Sequence, residues 1–215
     1  MSMTSTEAGL TALRAFLWTV ALLALPAIAA FDPTYPVTAG QHKLVQSSSF
    51  ANCKYDVYLP TSYSATNRLP LLITFAPGGG GEVDVFKQVA EELQVIVIGN
   101  IVSGNGVSIS KITGPDSYAM LFDLHHRVNF DPTAVFSAGF SGGGLMAYEY
   151  TKFCRPHLCG VLPMGGWLQQ EYSLQDRFLD GLLVARTTGD GDAASIYWLI
   201  ADQYHLSKYD VIVCD

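Results

Sequence analysis

Short apolar runs of strand length alternate along the chain with stretches of helical periodicity. His42 to Gln46 and Lys54 to Leu59 read as two short strands. In the second, Tyr55, Val57 and Leu59 alternate with Lys54, Asp56 and Tyr58, the pattern of a strand with one covered face. Leu69 to Phe75, Val95 to Ile98, Gly160 to Met164, Leu182 to Arg186 and Asp210 to Cys214 are more evenly apolar, as strands buried on both faces are. Between them, Val83 to Leu93 predicts a helix with Val85, Phe86, Val89, Ala90 and Leu93 on one side. Asp116-Ser117 offers a cap for a helix from Tyr118 to about Val128 that turns Met120, Leu121 and Leu124 inward. Ala193 to Ser207 predicts a helix with Ile196, Leu199, Ile200 and Tyr204 on its stripe, and the polar stretch Gln169 to Asp180 is a further helical candidate. Asp131-Pro132 reads as a turn, and Gly99 to Pro115 as a loop rich in Gly, Asn and Ser. Strands alternating with helices imply an α/β fold, a mostly parallel sheet with helices on both faces.

One stretch stands out against this background. Val135 to Ala147 reads as a buried strand, a tight turn and a helix, and the turn is Gly139-Phe140-Ser141-Gly142-Gly143, a G-x-S-x-G pentapeptide. A serine that is to act as a nucleophile must stand clear of the sheet on a strained backbone, with small neighbours that let strand and helix approach. Gly142 opens the helix, so its N–H points to where negative charge would collect on an attacked carbonyl oxygen. The competing interpretation is a glycine-rich turn with a bystander serine, and the strand before and helix after weigh against it.

Composition narrows the classes. The chain has 215 residues, enough for one domain with a substantial core, and with 49% apolar and 14% charged residues it is neither disordered nor highly solvated. A formal charge of -7 with no run of Lys or Arg excludes nucleic acid and anionic membrane surfaces as natural partners. The first 30 residues read as a signal peptide: Arg14, then the apolar run Ala15 to Ala27, then the small-residue pattern Ala27-Ile28-Ala29, with cleavage near Ala29 or Ala30. The expectation is therefore a secreted or periplasmic protein, with no membrane span once that segment is removed and one domain over residues 31–215. Export makes the four cysteines disulfide candidates: Cys154 and Cys159 are close enough to close a small loop, which leaves Cys53 and Cys214 for each other or for outside partners. No Cys/His spacing suits zinc, and no Gly-Lys-[Ser/Thr] follows Gly78 to Gly81 as a phosphate loop needs, so neither metal nor cofactor is expected. Ser108-Ile109-Ser110-Lys111 matches an S-x-x-K acyl-transfer motif, but its companion elements are missing. The sequence specifies no oligomeric state.

Parallel α/β sheets bind ligands at the carboxyl ends of their strands. Three chemically loaded turns fall there: Pro77 to Gly81, the Ser141 turn, and Gly189 to Asp192. With the stretch Tyr55-Asp56-Val57-Tyr58-Leu59-Pro60, these turns give the chain its resemblance to the α/β-hydrolase family, in particular to secreted esterases of the polyhydroxybutyrate-depolymerase and feruloyl-esterase type. The resemblance spans most of the chain after the signal segment. It implies a serine esterase acting on a small-molecule or polymeric ester: Ser141 as nucleophile, Gly142 with Gly78 or Gly79 as the oxyanion hole, and Asp192, or failing that Asp190, as the acid that orients an imidazole. The competing role for either aspartate is to cap the following helix.

Two positions depart from the family pattern. Pro77 stands where the family carries a histidine before glycine. The family's catalytic histidine follows the last strand, and here Asp210 to Cys214 is followed only by Asp215. Of His42, His125, His126, His157 and His205, only His205 follows the acid, and it falls inside a helical stretch. The expectation is a chain truncated at its C-terminus, without the histidine loop or the last helix that would cover one face of the sheet. The alternative is a binding or interaction protein that keeps the fold without the triad. Trp167, Tyr172 and Trp198 are candidate pocket aromatics or, equally, core and surface residues.

Overall fold

The computed structural model describes residues 34–154, 158–168, 177–189 and 191–214. The expected signal segment, His157, Tyr172, Asp190 and most of the helical candidate at 169–180 lie outside the described residues. Eight strands form one sheet: β1 His42–Gln46, β2 Lys54–Tyr58, β3 Leu69–Phe75, β4 Ile96–Asn100, β5 Phe130–Phe140, β6 Leu158–Met164, β7 Leu183–Ala185 and β8 Ile212–Cys214. Their order across the sheet is β1-β2-β4-β3-β5-β6-β7-β8. β1 and β2 pair antiparallel, β2 joins β4 antiparallel, and every later pairing is parallel. The α/β architecture follows the alternation of apolar runs and helical stretches.

Among the described residues four α-helices connect the parallel strands: α1 Lys87–Leu93, α2 Gly114–Arg127, α3 Gly142–Cys154 and α4 Ala193–Leu206. The larger core lies on one face, where Ile73, Ile98, Val135, Val161 and Val184 meet Met120 and Leu124 of α2 and Met146, Tyr148 and Tyr150 of α3. The other face packs Leu72, Val97 and Ala138 against Val83, Phe86 and Ala90. Met120 and Leu124 point inward as the periodicity predicts.

Several expectations are corrected. The stripe Val85, Phe86, Val89, Ala90, Leu93 does not form: Val83 to Phe86 is a 3-10 turn, which winds at three residues per turn and rotates the buried set to Val83, Phe86 and Ala90, leaving Val85, Val89 and Leu93 exposed. α2 begins at Gly114, after a π-helical turn over Ile109–Thr113, and Asp116 does not cap it: the carboxylate accepts from Asn100 Nδ2 at 3.1 Å. Asp131-Pro132 lies inside β5, where the register with β3 slips and Asp131 Oδ1 accepts from Thr133 N–H at 2.8 Å. On α4 the apolar stripe faces out: Ile196, Ile200 and Tyr204 are exposed. The helix is anchored by buried Asp202, whose carboxylate accepts from Tyr148 Oη (2.9 Å) and Leu168 N–H (2.6 Å) and lies 3.6 Å from Arg186 Nη1.

The expected disulfides are also absent: all four cysteines are free thiols. Five strands separate β2, which follows Cys53, from β8, which carries Cys214. At about 4.8 Å per strand that is roughly 29 Å, far beyond the ~7 Å limit between bridged Cα atoms. Cys154 is buried in the core, and Cys159 Sγ donates to Thr133 O at 2.7 Å. Burial pushes both the Cys53 and the Cys154 thiols up to about 12.

Candidate active site

β5 runs directly into α3 through Ser141, and the junction is tight. Ser141 has φ 53, the left-handed region that a side chain other than glycine's enters only under strain. Its N–H donates to Met164 O at 2.8 Å, while its carbonyl accepts from Gly144 N–H at 2.9 Å and Leu145 N–H at 3.3 Å, so one residue closes the strand and opens the helix. The flanking glycines leave no room for a side chain. A Cβ on Gly139 would overlap the Gly143 carbonyl, and one on Gly143 would overlap the Phe75 carbonyl oxygen. This is the strained, glycine-flanked turn the pentapeptide predicts, and it sets Ser141 at the carboxyl edge of the sheet.

The turn after β3 lies beside it, because β3 and β5 are neighbours in register, with Phe75 opposite Gly139. Within this turn Gly79 N–H donates to Ala76 O (3.4 Å) and Gly80 N–H to Ile101 O (3.3 Å). Among the described residues neither Gly78 N–H nor Gly142 N–H has an acceptor. Of the two candidate glycines, Gly78 thus has the freer donor.

The turn after β7 reaches the same edge through β6. Gly165 N–H donates to Thr187 O at 2.7 Å, and a Cβ on Gly166 would stand 2.9 Å from Ser141 O. Trp167 follows, stacked on Trp198 of α4 with ring centroids 5.3 Å apart. Asp192 N–H donates to Gly189 O (2.9 Å) and Asp192 O accepts from Ile196 N–H (3.0 Å), so its backbone occupies the position before the first turn of α4. β6 alone lies between the Ser141 strand and β7, which puts the two turns about 10 Å apart across the sheet.

The described histidines lie elsewhere. His42 sits on the edge strand β1, its Nδ1 2.8 Å from Asp84 Oδ1 and its Nε2 3.2 Å from Asp56 Oδ1. His125 and His126 end α2, and His125 packs edge-on against Phe130, at the opposite end of β5 from Ser141. His205 is near the far end of α4, about 20 Å along the helix from Asp192. No described imidazole is at Ser141.

The sequence missed one residue that the fold brings to the site. Asn105 approaches Gly142 so closely that a Cβ there would overlap Asn105 Oδ1. Nothing local marks it within a Gly/Asn/Ser-rich loop, because the contact joins parts of the chain distant in sequence.

No protein-family model matches the sequence, and no curated protein matches it. Solved structures do match. A dienelactone hydrolase-like promiscuous phosphotriesterase from metagenomic libraries is 17% identical with a TM-score of 0.58, over 81% of this chain and 80% of that one. The feruloyl esterase module from Clostridium thermocellum, complexed with sinapinate, is 15% identical with a TM-score of 0.58, over 81% and 79%. A poly(3-hydroxybutyrate) depolymerase from Bordetella parapertussis is 12% identical with a TM-score of 0.58, over 75% and 76%. With its mostly parallel eight-stranded sheet and these structural neighbours, the chain has the α/β-hydrolase fold.

Proposed function

We propose that this protein is an ester hydrolase that works through an acyl-enzyme on Ser141. The observation that carries the proposal is the left-handed Ser141 backbone, held between β5 and α3 by glycines with no room for a side chain. Strain of this kind costs about 1–3 kcal/mol and persists where the surrounding structure fixes it for a purpose. Ser141 Oγ attacks the acyl carbon and gives its proton to a general base. The carbonyl π electrons move to oxygen, which Gly142 N–H and Gly78 N–H stabilise, and collapse of the intermediate expels the alcohol, which takes the proton back from the base. Water then repeats the sequence and releases the acid.

The base in this reading is an imidazole oriented by Asp192. β8 runs parallel to β7, with Ala185 opposite Cys214, so both strands end at the edge of the sheet that carries Ser141. The substrate is a small-molecule or polymeric carboxylic ester, the class common to the feruloyl esterase and the poly(3-hydroxybutyrate) depolymerase among the structural neighbours. Residues 1–30 act as a signal peptide in the same proposal, and N-terminal sequencing of protein recovered outside the cytoplasm should begin just after Ala29 or Ala30.

Labelling with a fluorophosphonate tests the chemistry. The expected result is one covalent adduct, mapped to Ser141 by mass spectrometry and absent in Ser141→Ala. A folded full-length protein that forms no adduct would sink the acyl-enzyme reading and leave a binding protein on a hydrolase scaffold, the reading favoured by the lack of a described imidazole at Ser141.

A further inference from the structure

We infer that Asn105 is a side-chain hydrogen-bond donor to the oxyanion, acting beside the N–H groups of Gly78 and Gly142; the inference rests on the ester-hydrolase reading above. The contact itself comes first. A Cβ built on Gly142 would overlap Asn105 Oδ1 and stand 3.0 Å from its Cγ and 3.6 Å from its Nδ2. The carboxamide of this exposed residue therefore lies against the first residue of α3, directly after Ser141.

The loop is also built to hold it there. Asn100, fully buried at the end of β4, accepts from Val102 N–H (3.0 Å) and Ser103 N–H (2.7 Å), and its Nδ2 donates to Asp116 Oδ2 (3.1 Å) and Ser117 Oγ (2.7 Å). Ser103 Oγ donates to Asn100 O (3.1 Å) and accepts from Ala76 N–H (3.4 Å). Asn105 N–H then donates to Pro77 O at 2.7 Å, which ties its backbone to the residue preceding Gly78. Asn105 is thus held by its backbone at the Pro77 turn, and its side chain lies against Gly142.

The chemistry follows from where the side chain sits. The first turn of a helix carries partial positive charge, and a carbonyl oxygen is at home there. Asn105 Oδ1 lies beside that place, against Gly142, without accepting from its N–H. The terminal torsion of asparagine is broad and close to two-fold, and Asn105 is exposed, so its carboxamide is free to turn. When an oxyanion occupies the position, the half-turned carboxamide presents Nδ2–H to it as a third donor.

The test compares Asn105→Ala and Asn105→Asp with the full-length wild-type protein, using p-nitrophenyl acetate hydrolysis and the rate of fluorophosphonate labelling. Loss of a transition-state donor lowers kcat by about 10- to 100-fold in Asn105→Ala, with KM within two-fold. In Asn105→Asp the carboxylate repels the oxyanion at neutral pH, and its activity relative to wild type rises as pH falls and the acid regains a donor hydrogen. A purely structural residue would not give that pH-dependent ratio. A kcat for Asn105→Ala within two-fold of wild type, or a flat Asn105→Asp ratio, overturns the inference while the acyl-enzyme reading stands. Failure of wild type to label Ser141 overturns that reading, and this one with it.

Discussion

At the scale of single residues, the Ser141 turn sets stability against chemistry. A left-handed serine is strained where glycine is not. Ser141→Gly should therefore raise the denaturant midpoint, by about 1 kcal/mol of stability, while abolishing fluorophosphonate labelling. An unchanged or lower midpoint would mean that the backbone carries no strain at this position. The neighbouring glycine works in the opposite direction: Gly143→Ala drives a methyl into the Phe75 carbonyl, and urea unfolding should show a loss of about 2–3 kcal/mol. The pentapeptide makes both Ser141 and Gly143 visible in the sequence. Asn105 is invisible there, because an asparagine in a polar loop looks the same whether it faces water or a nucleophile.

Among the elements, α2 is tied to the first two strands by a buried carboxylate. Asp123, fully buried, accepts from Ser48 N–H (2.8 Å), Ser48 Oγ (2.6 Å), Tyr55 Oη (2.7 Å) and Arg127 Nη1 (3.1 Å). Burial alone would raise its pKa. The Ser48 and Tyr55 hydrogen bonds and the Arg127 charge outweigh burial and hold it below the ordinary value of 3.8. The folded state thus gains stability from ionised Asp123 at pH values above the ordinary carboxylate range, and loses it as pH falls through the lowered folded value. Urea midpoints measured between about pH 5 and 2 should fall steeply below about pH 4 in wild type and less steeply in Asp123→Ala. At neutral pH that variant should be about 3 kcal/mol less stable, since its buried donors lose their acceptor. Asp202, which anchors α4, has its carboxyl pushed up by burial despite the Leu168, Tyr148 and Arg186 contacts, so its slope with pH has the opposite sign. The difference between wild type and Asp123→Ala isolates the first effect.

For the whole molecule, the cover of the sheet is uneven among the described residues. α2 and α3 pack one face, while Val83, Phe86 and Ala90 cover the other only near β2, β4, β3 and part of β5. Farther along that second face Ile212 is 70% exposed at the β8 edge; α4, whose Leu206 joins the first face's core, leaves Ile200 73% exposed on its outer side. An exposed apolar edge strand invites association between chains. Ile212→Lys should leave the unfolding midpoint within about 0.5 kcal/mol of wild type while reducing light scattering at high protein concentration. A large loss of stability would show that Ile212 is covered in solution. None of the described helices is long and apolar enough to cross a membrane.

The sequence by itself determined the parallel core strands and the Ser141 turn. Both are written in neighbouring residues: strands buried on two faces must be apolar throughout, and a turn with no room for Cβ must be glycine. Only the tertiary structure decided what depends on partners distant along the chain. It set the order of strands that keeps Cys53 and Cys214 apart. It turned α4 by anchoring Asp202 to Tyr148, Leu168 and Arg186, against the apolar stripe that periodicity alone would bury. It also folded the loop after β4 over the first residue of α3, which brings Asn105 to Gly142. A carboxylate or carboxamide in a loop or on a helix reads as a surface residue until its hydrogen-bond partners are in place, and those partners come only with the fold.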